Sequence, residues 1–243
     1  MRKSLILTFG SLFALLAGSL PAPAQVQAEV QAFQQSAGDR SILYRGKRGA
    51  RYTILANGHP YWAQPGFERG DIVFEGNPYY DVPINIDALA QRALVQLQDS
   101  PFSVELTPEN APAFTIGDGH FVGIGPGGAL PEGFYEVFGD GPVHVYKHVY
   151  KLLNPNTQNV NGDPIGYYDP DYRNDVTRHF AIRKVYYFRD AEGNFSRFKG
   201  RSALIRQFQD RKRIRQDVKA IQRRQPDLSF DDFCKAVLHT AAQ

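Results

Sequence analysis

Phe180-Ala181-Ile182-Arg183-Lys184-Val185-Tyr186-Tyr187-Phe188, followed by Arg189 and the turn cluster Asp190-Ala191-Glu192-Gly193-Asn194, decides the fold. Residues alternate with period two, and the even positions Ile182, Tyr186 and Phe188 make a largely apolar face interrupted by Lys184. That is the pattern of a strand with one face buried. Gly193 supplies the positive φ that a short hairpin turn requires. Asn194 to Lys199 returns as a second strand anchored by Phe195 and Phe198, and a helical pattern starts near Ser202. The chain therefore leaves a sheet and ends in helices.

Upstream, short apolar-alternating runs recur with turn signals between them. Strands are expected at Ile42 to Tyr44, Tyr52 to Ala56, Tyr61 to Ala63, Asp71 to Glu75, Tyr79 to Ile86, Ala93 to Gln98, Phe102 to Leu106, Ala113 to Ile116, His120 to Ile124, Phe134 to Gly139 and Val143 to Leu152. Short connections between consecutive runs favour antiparallel neighbours, and no helix of ordinary length is expected from Ser41 to residue 200. Downstream, Asp210 is placed to cap a helix whose stripe is Ile214, Val218 and Ile221. Pro226 stops that helix, Ser229 can cap the next, and Asp231 and Asp232 suit its positive end. The expected class is α+β: an antiparallel β-meander, barrel or curved sandwich, closed by a C-terminal helical appendage. The expected domains are a leader over 1–24, a disordered or short helical lead-in over 25–39, the β domain over 40–200 and the helices over 201–243.

The leader follows from Met1-Arg2-Lys3-Ser4, the apolar run Leu5 to Gly18 and the A-x-A site Ala22-Pro23-Ala24, which predict removal after Ala24. The run is short for a membrane span, and no cysteine follows it to carry a lipid. The expectation is export to the periplasm or cell exterior of a Gram-negative bacterium, without a lipoprotein anchor or a transmembrane span after processing. The 243 residues contain a single cysteine, Cys234, so no internal disulfide staples the fold. Cys234 falls in a helical pattern as a small buried hydrophobe. A formal net charge of +3 gives no reason to expect a nucleic-acid partner.

Gly70-Asp71-Ile72-Val73-Phe74-Glu75-Gly76, Tyr79-Tyr80-Asp81-Val82-Pro83-Ile84 and Gly133-Phe134-Tyr135-Glu136-Val137 also stand out, together with Tyr187, Phe188, Gly193, Phe198, Lys199, Ala203, Leu204, Phe208, Asp210, Ile214 and Val218. These stretches resemble the motifs of an uncharacterised family of exported β-rich proteins common in Bacteroidetes-type bacteria. There a "GxVxYxG…YxNVxLxYD" segment leads through a β-meander to a "GFYExL" strand and a helical end. The resemblance covers roughly residues 40 to 240 and implies the same architecture. That family has no established activity, so it implies no functional residue. Asp87-Ala88-Leu89 departs from the family's acidic turn.

Gly123-Ile124-Gly125-Pro126-Gly127-Gly128 has the glycines of a phosphate loop, but a strand follows where a helix N-terminus would be needed. It is expected to be a loop, and no cofactor is implied. His144 and His148 would share a metal on a helix, yet they lie in a period-two pattern. On one strand face they stand about 13 Å apart, too far for one ion. His144, Tyr146, His148 and Tyr150 are instead a candidate ligand-facing strand, half-exposed or lining a cavity. Asn154 to Asp163 and Asp169-Pro170-Asp171 are oxygen-rich without calcium-loop spacing, and no metal site is expected. There is no Gly-x-Ser-x-Gly elbow, and no residue is nominated as catalytic.

The remaining candidate is the face carrying Lys212, Arg215, Lys219 and Arg223, opposite the apolar stripe of its helix. Such a face suits an anionic lipid surface, an envelope phosphate or an acidic partner. These features point to a non-enzymatic binding or envelope-associated protein. Two alternatives remain open: a lipocalin-like carrier of an apolar small molecule in a β-barrel, and a hydrolase acting on envelope polymers.

Overall fold

The computed structural model describes residues 24–52, 56–98, 100–155 and 178–242. Residues 1–23 of the expected leader, residues 53–55 of one expected strand and the oxygen-rich loop residues 156–177 lie outside the described residues. The lead-in is helix α1, Ala24–Ala37. Eleven strands follow among the described residues: β1 Lys47–Arg48, β2 Glu68–Phe74, β3 Asn77–Asp87, β4 Arg92–Gln96, β5 Ser103–Leu106, β6 Ala113–Ile116, β7 Gly119–Ile124, β8 Gly133–Phe138, β9 His144–Pro155, β10 Arg178–Arg189 and β11 Phe195–Phe198. The chain ends in α2 Arg201–Ile205, α3 Arg211–Arg224 and α4 Phe230–Ala241.

All strands join one antiparallel sheet in the order β1-β5-β4-β3-β2-β6-β7-β8-β9-β10-β11. The α+β class and the helical end are as expected, but the sheet is open, with β1 and β11 as its edges, so it is not a barrel. Curvature is nevertheless strong. β5 and β6 stand four strand spacings apart, about 19 Å in a flat sheet. Their connection is compact, with Ala111 N donating to Thr107 O at 3.1 Å, so the sheet must curl to bring those strands together. Gly123 allows this closeness: a Cβ there would run into the carbonyl oxygen of Pro108 and lie 2.8 Å from that of Ala111. A turn, rather than a strand ladder, holds the curl against β8 and β9. Gln91 Nε2 donates to Val149 O at 3.1 Å, Gln91 Oε1 accepts from Phe134 N at 3.3 Å, and Lys151 N donates to Ala88 O at 2.9 Å.

The concave side is filled. Ile72, Ile84, Val95, Leu106, Phe114, Phe121 and Phe134 form one buried cluster, with the Phe114 and Phe121 rings stacked at 5.2 Å. The same face of β8 to β11 continues under the helices, where Phe138, Val145, Tyr186 and Phe188 meet Leu204, Ile214, Val218, Phe233 and Val237. The opposite face carries Val122, Leu130, Tyr135, Val137 and Tyr146.

The β10–β11 hairpin forms as its sequence demands. Gly193 has φ +91°, and the Asp190 carboxylate accepts from Asn194 N at 2.7 Å. Ser229 caps α4 by accepting from Asp232 N at 3.1 Å. Asp210 precedes α3 but does not cap it with its side chain, which pairs with Arg213 Nε at 2.9 Å instead. Ile42–Tyr44, expected as a strand, is a 3₁₀ turn with Leu43 buried. The expected strand at Tyr61 is reduced to a single bridge to Asp87.

Candidate functional site

Ile214 and Val218, each 1% exposed, fix α3 to the protein. The helix carries seven basic residues against one acid, Asp217. Arg213 is engaged by Asp210, and Arg211 Nε donates to Phe208 O at 3.0 Å. Lys212, Arg215, Lys219 and Arg223 are exposed and form no ion pair among the described residues. The sequence placed these four on one face, and the structure leaves that face open to solvent. Its charge is held on a rigid support.

The strand residues behave differently. His144, Tyr146 and His148 are buried, and only Tyr150 is half-buried. They are packed: the His148 ring stacks on Tyr135 at 4.6 Å, and Tyr146 meets the edge of Phe195 at 5.1 Å. His148 Nε2 lies 2.9 Å from Gln91 Oε1, so a neutral ring donates there and ties β9 to the β3–β4 turn. Burial pushes the His148 pKa down to about 4, which keeps the ring neutral near pH 7.

Sequence reasoning missed a buried charge cluster on the other face of β9. Lys147 Nζ is 2.7 Å from both Glu136 Oε2 and Asp231 Oδ2, and Tyr186 Oη donates to Asp231 Oδ1 at 2.7 Å. Burial opposes the Lys147 charge, but the two carboxylates outweigh it and hold its pKa above the ordinary lysine value. Burial likewise opposes the Asp231 charge, while hydrogen bonds from Lys147 and Tyr186 hold its carboxyl below the usual range. The available signal was a lysine on the same strand face as Val145 and Val149. Lys147 Nζ and both Asp231 oxygens are engaged within the cluster, so it works as a clasp between sheet and α4. Cys234 beside it is fully buried, and that burial pushes its thiol up to about 12, away from nucleophilic use.

A second polar group shapes a turn. The buried Asp87 carboxylate accepts from Tyr52 Oη at 2.5 Å, Leu89 N at 2.9 Å and Ala90 N at 2.8 Å. Lys151 Nζ donates to His59 O at 2.8 Å. Among the described residues no three His, Cys, Asp or Glu side chains converge as metal ligands would, and no helix is long and apolar enough to cross a membrane.

Comparison with protein-family models, with curated proteins and with solved structures gave no match to this chain. The functional reading therefore rests on the chain's own geometry.

Proposed function

We propose that the protein is exported after removal of residues 1–24 and acts there as a non-enzymatic binding protein, attaching to an anionic envelope surface through α3. The observation that carries this reading is the exposed set Lys212, Arg215, Lys219 and Arg223 on a helix whose other side is buried. A lipid or polymer phosphate meeting this face finds cations already positioned, with no intramolecular carboxylate to displace. The carrier alternative loses support because the concave side of the sheet is occupied by Phe114, Phe121 and Phe134.

Sedimentation with vesicles of phosphatidylglycerol and phosphatidylcholine, against phosphatidylcholine alone, tests the reading. A surface-proximal Lys or Arg contributes about 1 kcal/mol, so converting all four residues to Gln should weaken binding by up to about a thousandfold. Exposed charges are screened over about 8 Å at physiological ionic strength, and binding should fall as salt is raised. Changing Arg183, Lys184, Arg197 and Lys199 to Gln, four exposed residues on β10, on β11 and just after it, is the control for net charge. Binding that neither salt nor the α3 variant changes would overturn the proposal.

A further inference from the structure

β3 outruns β4. Their ladder covers Ile84 to Asp87 on β3 and Arg92 to Val95 on β4, whereas β3 begins at Asn77. Beyond Ile84 the two strands diverge, and the gap is a groove of about 710 Å³ roofed by α1. That volume lies in the range of small-ligand sites, about 300–1,000 Å³. A bulge in the β2–β3 ladder shapes one wall, where Asp81 sits at φ +54°. Bulges of this kind re-aim side chains beside binding sites.

The described lining is aromatic and amide-rich with balanced charge. Tyr44 and Tyr80 bring rings, and Gln31 and Gln98 bring side-chain amides; none of these four side chains has a hydrogen-bond partner among the described residues. The charged pair neutralises itself, with Arg69 Nη1 donating to Asp81 O at 2.7 Å and lying 3.7 Å from Asp81 Oδ2. An amide offers donor and acceptor side by side, as a sugar hydroxyl does, and an aromatic face suits the apolar C–H face of a pyranose.

Part of the β3 backbone along this groove is already taken. Gln34 of α1 donates from Nε2 to Pro78 O at 2.8 Å and accepts from Tyr80 N at 3.2 Å. Asp71 Oδ1 accepts from Asp81 N at 2.9 Å. A peptide adding as a strand would need Pro78 O and Tyr80 N, and an ionic ligand would find no net charge among the described lining residues. We propose that this groove binds a short neutral oligosaccharide, with Gln31 and Gln98 reading hydroxyls and the Tyr44 and Tyr80 rings stacking on the sugar.

The test uses the mature chain and three soluble probes: cellotetraose, maltotetraose and chitotetraose. In amide-resolved NMR titrations at least one probe should saturate and shift the amides of Gln31, Tyr80, Gln98 and Ser100 together. A side-chain hydrogen bond contributes about 1 kcal/mol, roughly fivefold in affinity, so Gln31→Ala and Gln98→Ala should each raise Kd about fivefold without lowering the melting temperature. Tyr80→Leu, which keeps bulk and removes the ring, should weaken binding further. The α3 Gln variant should bind the same probe unchanged, which separates this site from the anionic surface. No saturable shift with any probe, shifts confined to other surfaces, or a Kd indifferent to all three groove variants would each overturn the proposal.

Discussion

Lys147 near the start of β9 and Asp231 in the first turn of α4 meet at 2.7 Å, although 84 positions separate them in the chain. Glu136 completes the clasp from β8. Removing one partner of a buried ion pair strands the other, at a cost of about 3–5 kcal/mol. Lys147→Met should therefore destabilise by about that much, since it leaves two carboxylates without their cation. Asp231→Asn should cost less, because Lys147 keeps Glu136. Urea denaturation ranks the two, and equal costs would mean that Glu136 does not share the lysine.

The clasp also sets two pH limits. The Asp231 carboxyl is held below its ordinary 3.8, so its contribution is present above that value and is lost as the pH falls through the lower folded value. Lys147 is held above 10.5, so its contribution is present below 10.5 and is lost as the pH rises through the higher folded value. Between these limits the pair should give a flat stability profile.

His148 adds a slope inside that range. Its pKa is lowered from 6.5 to about 4, so the unfolded chain binds the proton first. Stability is full above pH 6.5 and falls as the pH drops toward 4, with a loss of about 2 kcal/mol from this residue by pH 5. His148→Phe keeps a ring for Tyr135 and removes the titration. The difference in unfolding free energy between pH 7 and pH 5 should shrink by about that amount in the variant. An unchanged difference would assign the slope to another group.

Replacing Ile214 and Val218 by Asp should unfold the helical end, since both side chains are 1% exposed beneath α3. The four-residue Gln variant should keep its melting temperature within a few degrees, because exposed substitutions stay within about 0.5 kcal/mol each. Near-equal melting temperatures for the two variants would mean that α3 does not pack through that stripe.

Where period and turn chemistry agreed, the sequence was legible. Gly193, Ser229 and the alternating runs from Asp71 to Leu152 lie in the expected turn, cap and strands. At Ile42–Tyr44 three apolar residues suggested a strand, but Ser41 Oγ accepts from Leu43 N, and this local bond turns the chain into one 3₁₀ turn. Barrel closure could not be read because it depends on whether distant edges pair, and here the edge strands β1 and β11 do not pair. The basic face of α3 follows from helical geometry alone. The groove depends on how far β3 outruns β4, a matter of register that neither strand states by itself. His144, Tyr146 and His148 shared one strand face as expected, and His148 and Tyr146 are covered by Tyr135 and Phe195, which pairing brings from other strands.

Curvature gives the final prediction. Gly123 on β7 lies beneath the β5–β6 connection, where an added Cβ would meet the backbone oxygens of Pro108 and Ala111. Backbone cannot swing aside as a flexible side chain can, so Gly123→Ala must push the connection outward and weaken the bond from Gly123 N to Pro112 O, now 3.1 Å. Overpacking of this kind costs about 1–3 kcal/mol, and the loosened connection should increase amide exchange at Ala111 and Gly123. Gly141, in the β8–β9 loop, has open space where its Cβ would go and no positive φ. Gly141→Ala should therefore stabilise by about 0.4–1 kcal/mol through the unfolded chain. Melting temperatures that move in opposite directions for these two substitutions support the curled sheet, and a Gly123→Ala variant as stable as the wild type would show that the connection does not press on β7.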